Sequence, residues 1–80
     1  MSRAENLGQR EELRMRRKAI EAEMQSHAES MRHCLPLTLE PAELQSEYLM
    51  HLSIKLNELK QELSGVIRKI DILERDLGLA

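Results

Sequence analysis

Eighty residues with a net charge of -2, 41% hydrophobic yet only 1% aromatic, leave room for one domain and none for most catalytic folds. Charged residues make up 32% of the chain and no apolar run exceeds three residues, which excludes a transmembrane helix and the apolar stretch of a signal peptide. One cysteine, Cys34, cannot close an intrachain disulfide, so the expected product is a soluble intracellular protein, cytoplasmic or nuclear.

Tyr48 is the single aromatic residue, so any core must be built from Leu, Ile, Val and Met. Three glycines and two prolines divide a chain otherwise rich in helix formers. Residues 1–8 are expected to be a flexible N-terminus. Ser2 and Glu5 have the spacing of a capping box, but Gly8 follows within a turn and no apolar stripe supports a helix there.

Residues 9–35 are predicted as the first helix. Leu13, Arg17, Ile20, Met24, His27, Met31 and Cys34 recur at alternating steps of four and three, with Ala28 and Leu35 beside them. Arg17 and His27 make this stripe mixed. Pro36 removes an amide donor and restricts Leu35, which ends the helix and opens a connector over 36–40.

Pro41 suits the first turn of a second helix, with Thr38 or Glu40 as its cap and Glu40, Glu43 and Glu47 near the positive end of the helix dipole. This helix is predicted over 41–77. Its seam is Leu49, Leu52, Leu56, Leu59, Leu63, Val66, Ile70, Leu73 and Leu77, an unbroken heptad pattern that would run roughly 55 Å at about 1.5 Å per residue. Gly78 is placed for a left-handed C-cap over 78–80, with Leu79 positioned to fold back on Leu73.

These elements define an all-α fold, an antiparallel two-helix hairpin or coiled coil completed by partner helices. Two helices share one contact line and leave the other flank of each seam wet, so partners are expected. Charge gives a mild bias toward pairing. Seven cations against six anions before Pro36 leave +1, and five against eight after it leave -3. Exposed pairs of this kind are worth only about 0–1 kcal/mol each.

The expected partner interface is the seam named above together with Ile67 at its border and Met50, Ile54 and Ile72 off it. Gly65 lies inside the second helix, where it costs roughly 1 kcal/mol relative to Ala. A parallel homodimer along the second helix is the alternative architecture, although a hetero-oligomer is favoured. Arg10, Arg14, Arg16, Arg17 and Lys18 form the one cationic cluster, a candidate contact for an anion or an acidic partner. Nucleic-acid phosphate is a secondary alternative, because the chain is slightly acidic and lacks interleaved aromatics to stack on bases. Glu11, Glu12, Glu21 and Glu23 offer local neutralisation at helical spacing. No membrane binding is expected, since only Met15, Ala19 and Ala22 back the basic turn.

Nothing in the chain predicts an enzyme or a cofactor. His27, His33, Cys34 and His51 lack the spacing of a zinc site, so Cys34 reads as a small apolar seam residue and His27 as a polar position that fixes register. The stretch Leu13-Arg14-Met15-Arg16-Arg17-Lys18-Ala19-Ile20-Glu21-Ala22-Glu23-Met24 resembles the opening helix of the N-terminal hairpin in the proteasome non-ATPase regulatory subunit 9 family of assembly chaperones. That resemblance implies a hairpin that grips an ATPase subunit of the regulatory particle. The connector between Leu35 and Leu44 lacks the aromatic-Pro-Arg segment typical of that family, and the second helix lacks its Asn-Asp-His run. The function expected from the residues themselves is a small coiled-coil interaction subunit that helps assemble or stabilise a multiprotein complex.

Overall fold

A computed structural model describes residues 2–79 and consists of two long helices packed side by side. Helix α1 spans Arg3–His33 and helix α2 spans Ser46–Asp76, each of 31 residues. Between them a short 3-10 turn covers Pro41–Glu43. The resulting ribbon measures 59 × 17 × 15 Å, and the all-α antiparallel hairpin expected from the sequence is the observed fold.

Matching lengths set the register. Arg3 at the start of α1 lies beside the end of α2, where its guanidinium donates to the Leu77 carbonyl at 2.9 Å. Midway along the ribbon Arg16 reaches Glu62 across the two helices. Ile20, Leu59, Val66 and Ile70 form the buried cluster, with Leu13, Met24 and Leu63 packed against it.

Over residues 3–8 the N-terminal segment departs from the expectation of a flexible 1–8; Met1 lies outside the described residues. Helix α1 begins at Arg3, because the Ser2 hydroxyl accepts from the Glu5 amide at 3.2 Å and the Ser2 carbonyl accepts from the Asn6 amide at 3.1 Å. The capping-box spacing is used, and tertiary contacts replace the missing apolar stripe. Arg3 holds the C-terminal carbonyl of α2, favourable against the negative end of that helix, and Arg10 lies 3.7 Å from Glu74.

The second helix also starts later than expected. Pro41 opens only a single 3-10 turn, and Leu44 is extended, with φ -62° and ψ 124°, before α2 begins at Ser46. Helix over 41–45 would run past the end of α1 with no surface to pack on, so nothing offsets its ordering. Neither Glu40 nor Gln45 caps through its side chain. The α2 rod is therefore about 46 Å long at ~1.5 Å per residue, shorter than the 41–77 span implied.

At the other end the expected C-cap forms over Gly78 and Leu79; Ala80 lies outside the described residues. Gly78 has φ +73°, the Leu79 amide donates to the Glu74 carbonyl at 2.7 Å and the Gly78 amide to Arg75 at 3.1 Å. This is the double bond of a Schellman turn. Leu79 is nonetheless 46% exposed.

Glycines give a direct test of the backbone. A Cβ added at Gly65 meets nothing within 4 Å, and the residue lies in the middle of α2. Gly65→Ala is expected to stabilise the hairpin by ~1 kcal/mol and raise the melting temperature by several degrees. Gly78→Ala should lower it, since only glycine adopts positive φ without penalty. Thermal denaturation followed at 222 nm checks both, and a Gly65→Ala protein no more stable than the parent would refute the α2 geometry around that residue.

Candidate docking face

Seven-residue steps sort each helix into rows. On α2 the row Leu52, Leu59, Val66 and Leu73 is buried along its whole length. The neighbouring row, Leu49, Leu56, Leu63, Ile70 and Leu77, changes character: Ile70 and Leu77 are buried, whereas Leu49, Leu56 and Leu63 are only half-buried. Ile67, one step further out, is half-buried as well.

This corrects the expected interface. Leu52, Leu59, Val66, Ile70, Leu73 and Leu77 are covered by the chain's own α1, which runs as far as α2, and so are not available to a partner in the folded hairpin. Leu49, Leu56, Leu63 and Ile67 remain on an open edge. Met50, Ile54 and Ile72 are 63%, 54% and 52% exposed, but by helical spacing they lie on the outer surface of α2 and do not join that edge.

The matching rows of α1 are Leu13, Ile20, His27 and Cys34, of which Ile20 and Cys34 are buried, and Arg10, Arg17, Met24 and Met31, all half-buried. The half-buried His27 donates through Nδ1 to the Glu23 carbonyl at 2.8 Å, which satisfies that nitrogen within its own helix. Near the open end of the hairpin Arg10, Arg14, Arg17, Lys18 and Glu21 face Ile70 and Glu74 across a depression of about 420 Å³. Stepping by sevens from those residues toward the connector places Met24, Ala28 and Met31 on the same side of the ribbon as Leu49, Leu56, Leu63 and Ile67.

The two sides of the ribbon therefore differ. One carries an apolar edge from Leu49 to Ile67, flanked in its open-end half by Arg10, Arg14, Arg17 and Lys18. The other carries the exposed row Lys55, Glu62, Lys69 and Asp76, with Arg16 hydrogen-bonded to Glu62 through Nε and Nη2. The five cations of the sequence cluster are accordingly divided. Arg16 lies on the polar side, Arg10 pairs with Glu74, and Arg17 pairs with Glu21 at 3.6 Å. Arg14 and Lys18 have no carboxylate within 4.0 Å among the described residues. Arg10 Nε is buried and finds no hydrogen-bond acceptor there.

Sequence reasoning missed the recurrence of Arg3, Arg10 and Arg17 at seven-residue steps, the one signal that the first eight residues continue the helix toward the end of α2. It also missed the apolar connector. Leu37 is fully exposed, and Leu35, Leu44 and Tyr48 are 53%, 43% and 45% exposed. No group of three or more His, Cys, Asp or Glu side chains is placed to hold a metal ion among the described residues. No described helix is long and apolar enough to cross a membrane. Comparison with protein-family models, with curated proteins and with solved structures finds no match for this chain.

Proposed function

We propose that this protein is a small interaction subunit whose hairpin docks on helices of a partner chain and helps hold a multiprotein complex together. The observation that supports this reading is the half-buried edge Leu49, Leu56, Leu63 and Ile67, with Met24, Ala28 and Met31 on the same side of the ribbon. A third helix laid along that edge would bury leucine, isoleucine and methionine side chains at roughly 25 cal/mol per Å² of apolar surface. The opposite side, with its exposed charges, offers no comparable gain.

The partner is a different chain in the favoured arrangement, and a homodimer is the competing one. Site-specific photo-crosslinking separates this edge from the rest of the surface. A benzophenone residue at position 67 is expected to give a discrete crosslinked species in cells, whereas the same group at position 54, on the outer surface of α2, gives none. Equal capture at the two positions would mean that the edge is not a docking site.

A further inference from the structure

We infer that the occupant of this face is an acidic amphipathic helix from a different chain, seated with its apolar stripe over Met24, Leu63 and Ile67 and its carboxylates against Arg14 and Lys18. This rests on the docking reading above and adds the chemistry of the partner. The face changes character along its length. Half-buried Leu49, Leu56, Met24, Ala28 and Met31 line the connector half, Leu63 and Ile67 continue the edge past the middle alongside Arg14 and Lys18, and four cations there stand against the two carboxylates of Glu21 and Glu74.

That excess of positive charge occurs in a chain whose net charge is -2. Arg14 and Lys18 are four residues apart, so they project from the same face of α1, and neither has a carboxylate within 4.0 Å among the described residues. Arg10, whose Nε lies 3.7 Å from Glu74, lines the same depression. An occupant with basic flanks would meet the two cations that lack a carboxylate, Arg14 and Lys18. The second copy of this chain is a poorer fit than an acidic helix, because its own docking face carries the same cations.

The face dictates the form of the ligand as well as its charge. Its apolar part runs parallel to the helices for several turns, from Ile67 to Leu49, which suits side chains presented at steps of three and four. A compact anion such as phosphate would use only the basic end.

Two fluorescein-labelled model helices of equal length, with identical leucines at three- and four-residue spacing and either glutamates or lysines at the flanks of one end, test this with the intact chain. The glutamate peptide is expected to bind roughly tenfold more tightly than the lysine peptide, the scale of two partly exposed charge pairs, with the difference shrinking as salt rises. In the double variant Arg14→Glu, Lys18→Glu the preference should reverse, and circular dichroism confirms that the hairpin remains folded. Equal affinity for both peptides, with loss of both in Ile67→Glu, would overturn the acidic occupant and leave the docking face intact. Binding of neither peptide would overturn both. Sedimentation equilibrium covers self-association: a stable dimer of the free chain at micromolar concentration, lost in Ile67→Glu, would replace the acidic helix with a second copy.

Discussion

Replacing Ile20 with Asp is expected to abolish most of the helical circular-dichroism signal at 25 °C. Ile20 is 1% exposed, the most deeply buried side chain described, and contacts in its cluster come from both helices. A carboxylate at that point has no cation beside it in the cluster and no water, so its desolvation costs several kcal/mol, or else it must be protonated. Loss of the packed methyl groups adds about 2–4 kcal/mol on the scale of large-to-small core substitutions. An 80-residue domain has a total stability on the order of 4–12 kcal/mol, so the sum removes most of it. Ile20→Val should cost only about 1 kcal/mol and lower the melting temperature by a few degrees. A folded Ile20→Asp protein with the melting temperature of the parent would show that α1 and α2 do not share this core.

The same core explains which parts of the fold could be read from the chain. Nine apolar residues in strict heptad order between Leu49 and Leu77 are sufficient to identify α2, because no other regular structure places them on one side. The Gly78 C-cap is equally legible, since its residue type and its place after Leu77 both answer to a local hydrogen-bond pattern. Pro36 marks the end of α1 to within a few residues for a similarly local reason.

The misjudged segments depend on distant contacts. Residues 3–8 hold their helix because Arg3 reaches a carbonyl 74 positions away and Arg10 reaches Glu74. Residues 41–45 fail to join α2 because α1 has already ended, a fact about the partner helix and not about Pro41. The docking face was only half legible for the same cause. A heptad pattern identifies which side chains seek burial, but not which of them the chain buries by itself. Leu59 and Leu63 look alike in the sequence; Leu59 is consumed by the hairpin core, whereas Leu63 keeps an open flank.

That distinction determines which substitutions report on docking. Exchanging Leu59 for Asp would break the hairpin and with it any interface, so lost association in such a variant says little about where the partner sits. Leu56→Glu combined with Ile67→Glu is the informative pair. Both residues are half-buried on the open edge and neither belongs to the buried cluster, so the folded hairpin should lose no more than about 1–2 kcal/mol. In a complex the two carboxylates would be forced into an apolar contact without partners, and the affinity is expected to fall by at least about a hundredfold, the scale of one or two interface hot spots. Met50→Glu with Ile54→Glu adds the same charge to the outer surface of the same helix, where both parent residues are more than half exposed, and should change affinity less than about twofold. Affinity capture of the native complex, quantified for the two double variants against the parent chain, makes the comparison. If the outer pair proved as damaging as the edge pair, net charge and not position would be responsible, and the partner would have to lie on a different face of the ribbon.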